Sequence, residues 1–210
     1  TPLPEHETFH AVFLPDWDSA KEAVRALAQA KVPLSMLRLS NEVETDTQLR
    51  LAGHATAIAW LKRYLGLRGV GEGMCMLMMG VTGSKGQAHR MLREALGITR
   101  QFRGVHLGSG LGKTWAQKRF LGPYLRNRLW EAGYAADTIE SSVVWPRVTP
   151  LMRAMESRAH DALAAIDEKV HAFTHLSHVY AQGSSIYSTY IYRIASDPDE
   201  MHERWYRLKS

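Results

Sequence analysis

The sequence is poor in the residues that mark several classes of protein. Its 210 residues include a single cysteine, Cys75, so no disulfide can close within the chain. That thiol falls in the run Met74-Cys75-Met76-Leu77-Met78-Met79, where it is expected to be a buried structural group, which fits a reducing cytoplasm. No apolar run approaches the roughly 18 residues needed to cross a bilayer. The opening Thr1-Pro2-Leu3-Pro4-Glu5 carries neither a basic stretch followed by an apolar one nor a cleavage site, so a soluble protein is expected. Basic residues are dispersed, with no block of about five or six like charges of the kind that makes a polyelectrolyte tail. Serine-nucleophile signatures and zinc spacings are absent too, which leaves simple hydrolase and zinc-module readings without support.

What is present is an ordinary globular composition, 45% apolar and 22% charged, enough for one sizeable domain or two small ones. The net charge of +5 and pI near 9.4 suit anionic partners, and phosphorylated small molecules and nucleic acid are both compatible with them. The chain starts without methionine and stops at Arg207-Leu208-Lys209-Ser210, inside an expected helix, so an excised fragment is expected.

Strand and helix signals alternate along the chain. Residues 8–14 read as a strand, and Ser19 with Glu22 has the spacing of a capping box ahead of an apolar stripe at Ala20, Ala23, Val24, Leu27 and Ala28. Residues 34–39 read as a strand and 47–65 as helical; the glycines at 66, 69, 71 and 73 predict an internal hinge. The Met-rich run 73–81 reads as a buried strand, followed by a second capping box at Ser84 and Gln87 and a helix ending at Gly97. The two capping serines lie 65 residues apart, which hints at a duplicated strand-helix-strand unit. Further on, 115–130 reads as helical, 135–142 as a strand, and Val148, Leu151, Met152, Met155, Ala159, Leu163 and Ile166 as one face of a long helix. Runs 171–180 and 185–194 read as a hairpin, and Asp197, Pro198 and Glu200 as a capped helix start. The expected fold class is α+β, a ferredoxin-like antiparallel sheet with helices packed on one face and a duplication as a further reading.

Four segments carry candidate chemistry. Gly108-Ser109-Gly110-Leu111-Gly112-Lys113-Thr114 is a near miss for a phosphate loop, because the position that would have to be glycine is Leu107; it is expected to be a turn before a helix that binds no nucleotide. His171, His175 and His178 cluster near the hairpin without a carboxylate or cysteine at ligand spacing, so they read either as polar strand residues or, for His175 and His178, as contacts to a bound anion. On an uninterrupted strand His171 and His175 share a face and His178 points the other way. Arg119 to Asn127 packs two arginines and a Gly-Pro into a short span, either a solvated basic face or an anion-binding fork. Tyr187, Tyr190 and Tyr192 are either core filler or include an acid/base group.

Five segments in order are similar to the C-terminal cap domain of the FAD-linked oxidases, most nearly its alkyldihydroxyacetonephosphate synthase branch. They are Phe13-Leu14-Pro15-Asp16; Leu37-Arg38-Leu39-Ser40; Tyr124-Leu125-Arg126-Asn127; Thr138-Ile139-Glu140-Ser141 with Trp145 and Arg147; and Gly183-Ser184-Ser185-Ile186-Tyr187 followed by Ser196-Asp197-Pro198. The resemblance implies a single cap domain over 1–210 that lays one sheet face over a flavin. It implies exchange of the acyl group of acyl-dihydroxyacetone phosphate for an alkyl group through a flavin adduct. Tyr187 matches the active-site tyrosine, and Arg38 and Arg126 match the pocket arginines for an anionic small-molecule substrate; His175 and His178 are further substrate-binding candidates. FAD is expected in the full-length protein and none in this chain alone, which has no glycine-rich pyrophosphate cradle. The family places an FAD-binding domain before residue 1 and a His-His-Gly segment after the last helix, so the chain is expected to be inactive by itself. No nucleic acid and no membrane span are expected, a homodimer is allowed, and a cytoplasmic or membrane-peripheral location follows. Two other readings stay open: the cap of an FAD-dependent 2-hydroxy-acid dehydrogenase or oxidase, and a non-catalytic ferredoxin-like module for RNA or an anionic partner.

Overall fold

Strands rich in Met, Val, Phe and Leu pair edge to edge, each antiparallel to its neighbours. A computed structural model describes residues 4–210, with the side chains of 121–123 outside the description; the opening tripeptide Thr1-Pro2-Leu3 and the side chains of the Gly122-Pro123 pair therefore lie outside the described residues. The first half holds β1 (His6–Leu14), α1 (Trp17–Gln29), β2 (Met36–Ser40), α2 (Glu42–Leu51), α3 (Ala55–Leu67), β3 (Cys75–Gly83), α4 (Lys85–Gln101) and β4 (Val105–His106). The second holds α5 (Gly110–Lys118), α6 (Gly122–Glu131), β5 (Tyr134–Val144), α7 (Trp145–Ala164), β6 (Val170–Val179), β7 (Gly183–Arg193) and α8 (Pro198–Lys209). All seven strands form one antiparallel sheet in the order β4-β1-β3-β2-β6-β7-β5.

The expected α+β class is thus found, and the order explains the duplication. β4-β1-β3-β2 with α1 and α4 is one ferredoxin-like unit, into which α2 and α3 are inserted. β5-α7-β6-β7-α8 repeats the same path with three strands. The helices that carry Ser19 and follow Ser84, α1 and α4, are therefore the two helices of the first unit, not counterparts in two units. The units are joined where Leu39 faces Leu176 and Ser40 faces His175 across β2 and β6. The glycine-rich 66–73 stretch leads into β3, and the strands on either side of it, β2 and β3, are paired.

Local signals fare unevenly. The Ser84–Gln87 capping box closes in both directions. α1 is instead capped by Asp16, whose Oδ1 accepts from the Ser19 amide at 2.7 Å, three residues before the expected cap. α4 runs through Gly97 to Gln101, because nothing at Gly97 forces a left-handed turn and the packing of Leu96 and Thr99 continues the helix. The 47–65 stretch is two helices, broken at Gly53 with φ +77°. The Gly108–Thr114 segment, expected to be a turn before a helix, is already helical from Gly110; Gly112 is buried in α5, and a Cβ there would overlap the Phe9 carbonyl, so the glycine lets α5 sit against β1.

Burial separates the two faces of the sheet. Val12, Leu14, Leu77 and Leu39, continuing into Leu176 and Ile186, pack under α1, α4 and α7, and Tyr190 and Tyr192 continue the same face under α7 and α8. The opposite face of β1 and β3, with Phe9, Phe13, Met76 and Met78, is covered by Leu49 of α2, Leu65 of α3 and Trp115 of α5. β3 is consequently buried on both faces and reads as an unbroken apolar run. Cys75 is fully buried there, and burial pushes its thiol well up. Among the described residues the second face of β5 and β7 has no buried helical cover comparable to this. Among the described residues no helix is long and apolar enough to cross a membrane.

Candidate active site

The open face begins with register. Ser40, His175, Tyr187 and Glu140 stand in one row across β2, β6, β7 and β5, and paired residues project to the same side of a sheet. Arg38 lies two residues before Ser40 and therefore on that side as well. Along β7, Ile186, Ser188, Tyr190 and Tyr192 are buried, while Tyr187, Thr189 and Ile191 are half-buried on the other face. The strand's alternation thus divides the three tyrosines. Tyr190 donates to the Met155 carbonyl at 3.4 Å and Tyr192 is sealed in the core, burial raising both phenols.

Tyr187 stacks on His175, with ring centroids 4.9 Å apart and planes 24° from parallel. His175 Nδ1 lies 3.1 Å from Arg38 Nη2 and 3.2 Å from Glu44 Oε1, and Arg38 Nη2 donates to the same oxygen at 2.7 Å. Glu44 belongs to the first turn of α2. That turn is anchored by Asn41, whose Oδ1 accepts from the amides of Glu44 and Thr174 and whose amide nitrogen donates to Glu156 at 2.9 Å. Burial by itself would raise the Glu44 carboxyl, but the Arg38 guanidinium, followed by His175, outweighs it and pulls the pKa down to about 2. The carboxylate is therefore charged at all ordinary pH, and Arg38 is held as half of a buried ion pair.

At the far end of the row Glu140 accepts from Ser177 Oγ at 2.6 Å and lies 3.4 Å from His178 Nδ1; the Ser177 hydrogen bond is the main cause that lowers its pKa. His178 therefore does not point away from the row as strand alternation predicts. A β-bulge between Leu176 and Val179 shifts the register and turns it towards Glu140. His171 contacts Thr47 Oγ1 at 2.9 Å and lines a cleft of about 1020 Å³ between α2, α3 and the turn before β3. Among the described residues no group of three or more His, Cys, Asp or Glu side chains is arranged to hold a metal.

The structure brings Arg38, His175 and Tyr187 together and joins His178 to their row through Glu140. Arg126 sits exposed on α6, which packs beside β5, and shares no hydrogen bond or ion pair with the cluster among the described residues. Glu44 is absent from the sequence-based set. Its signal was the Asn41-x-x-Glu44 spacing of a helix start, which normally turns the carboxylate back to the cap's own amide; here that amide bonds the Thr174 carbonyl at 2.9 Å and the carboxylate is free to pair with Arg38.

The family described as FAD linked oxidases, C-terminal domain, matches residues 3–210. The chain belongs to that family. This FAD-linked oxidase domain is 23% identical over 204 residues to the alkyldihydroxyacetonephosphate synthase of Trypanosoma brucei brucei, a match over 94% of this chain and 33% of that protein. It is 24% identical over 194 residues to the alkyldihydroxyacetonephosphate synthase of Dictyostelium discoideum, over 88% and 31%. The chain thus spans about a third of the length of these curated relatives. A solved alkyldihydroxyacetonephosphate synthase superposes with a TM-score of 0.85 at 22% identity, over 98% of this chain and 38% of that one. A p-cresol methylhydroxylase with substrate bound superposes at 0.58 and 13% identity, over 100% and 43%. At such identities the likeness establishes the fold. The family's description links it to FAD and places this domain at the C-terminal end of its proteins.

Proposed function

We propose that this chain is the substrate-side cap of a flavoenzyme of the alkyldihydroxyacetonephosphate synthase type, closing over FAD held by an N-terminal domain. The observation that carries the reading is the edge of the open half-face, where Tyr187 stacks on His175 and His175 meets Arg38 beside α2. A flat, partly apolar surface of Tyr187, Thr189 and Ile191 fits the ring of a flavin. The Gly108–Thr114 segment has its buried glycine, Gly112, committed to packing on Phe9, so the pyrophosphate is assigned to the partner domain and the isolated chain retains no FAD. When bound, FAD supplies the electron sink for the chemistry.

The residues of this chain then divide the remaining work. Tyr187 carries a phenol with no hydrogen-bond partner among the described residues, on the open side of the sheet, and serves as the group that moves a proton to or from substrate. The Arg38 donors not committed to Glu44, and Arg126 brought in by α6, hold the phosphate of the dihydroxyacetone phosphate substrate. His175 and His178 flank that position from β6.

The test is kinetic, in the complete enzyme with FAD, following exchange of the acyl group of acyl-dihydroxyacetone phosphate for the alkyl group of a fatty alcohol. Tyr187→Phe is expected to lower kcat with little change in KM, and Arg126→Ala to weaken substrate binding by about 1.5–3 kcal/mol. Full turnover by Tyr187→Phe removes the acid/base assignment. Absence of exchange in the unaltered enzyme, with oxidation of a 2-hydroxy acid instead, moves the domain to the dehydrogenase branch.

A further inference from the structure

Glu44 is the only carboxylate fully buried among the described residues, 3% exposed, and it meets Arg38 and His175 through a single oxygen. The three contacts of this triangle cannot all be hydrogen bonds. Nδ1 of a neutral imidazole has one position in the ring plane. With a proton there it donates to Glu44 Oε1; without one it accepts from Arg38 Nη2.

What each partner loses decides between them. Glu44 is sealed from water, and its Oε2 has no hydrogen-bond partner among the described residues. Losing His175 would leave a buried carboxylate whose charge is met by Arg38 alone, through one oxygen, with its hydrogen-bonding capacity largely unmet. Arg38 is 22% exposed at its side chain, so a guanidinium N–H that gives up the imidazole reaches solvent or substrate instead.

We propose that Glu44 is a positioning residue that keeps the proton of His175 on Nδ1. Nε2 is then the unprotonated nitrogen, on a ring stacked against Tyr187. A neutral His175 in this tautomer has no N–H left for an anion and instead accepts a hydrogen bond, or a proton, from a hydroxyl group of the substrate. Anion binding falls to the arginines. The division of labour rests on the flavoenzyme reading, but the tautomer does not.

The experiment is 15N NMR of the intact protein labelled at histidine, at about pH 8.5, where an ordinary imidazole is neutral. The resonances that vanish in His175→Gln identify the residue. The unaltered protein is expected to show His175 with Nδ1 protonated and Nε2 unprotonated. Glu44→Gln, which keeps the side chain's size and removes its charge, is expected to shift the main form to Nε2–H as Arg38 donates to the vacated Nδ1. An Nε2–H form in the unaltered protein overturns the proposal, and so does an Nδ1–H form unchanged in Glu44→Gln. Should that variant fail to fold, the spectrum of the unaltered protein decides alone. No substrate or cofactor enters the measurement, so an inactive enzyme with the expected tautomer counts against the flavoenzyme reading only, and an active one with the wrong tautomer counts against Glu44 only.

Discussion

The two ferredoxin-like units use the same path of strands to opposite ends. In the first, helices cover both faces, and strand β3 is buried from Cys75 to Val81. In the second, α7 and α8 cover one face of β5 and β7, and β7 alternates between buried and half-buried residues. The contrast shows how a repeated fold divides its work. A sheet sealed on both sides holds mainly apolar side chains, with its few polar ones paired internally, and supplies rigidity, whereas one open face can present polar groups to a ligand without burying them unpaired. Arg38 and Glu44 occupy the seam, where the sealed half meets the open one.

The sharpest way to break this comparison is at the seam. Arg38→Ala leaves the Glu44 carboxylate charged and enclosed, and is expected to destabilise the protein by about 3–5 kcal/mol, measured by urea unfolding. The variant would then lose activity through folding as well as through substrate binding. A loss below about 1 kcal/mol would mean that water reaches Glu44 and that the seam is open.

A matched pair compares the halves directly. Leu77 in the sealed half is fully buried, and Leu77→Ala is expected to cost about 2–5 kcal/mol. Tyr187→Ala, on the open face, is expected to cost about 1 kcal/mol or less although it removes more atoms. Equal losses in the two variants would abolish the distinction drawn here.

Acid offers a gentler probe. The folded-state pKa of Glu44 is depressed from the ordinary 4.5 to about 2, so its contribution is complete above about pH 4.5 and disappears as pH falls through about 2. Stability followed over that interval should fall by about 3 kcal/mol more in the unaltered protein than in Glu44→Gln. Parallel curves for the two proteins would show that the carboxyl titrates normally.

Much of this was legible in the sequence because it depends on neighbours along the chain. The capping box at Ser84 and Gln87 was legible from its spacing, although the same spacing at Ser19 and Glu22 lies inside α1, and alternation on β7 put Tyr187 on one face and Tyr190 and Tyr192 on the other. The unbroken run at Met74–Met79 marked a strand covered twice. Five dispersed segments in order carried the family. Beyond the reach of sequence were the contacts that set the site. Arg38 and His175 are 137 residues apart and meet only because β2 pairs with β6. His178 turns towards Glu140 because of one bulge, and Glu44 faces Arg38 because the Asn41 amide is taken by Thr174. The reason is physical: periodicity states which side of its own element a residue occupies, while register and the joining of two units are fixed by packing between elements that the chain brings together only when folded.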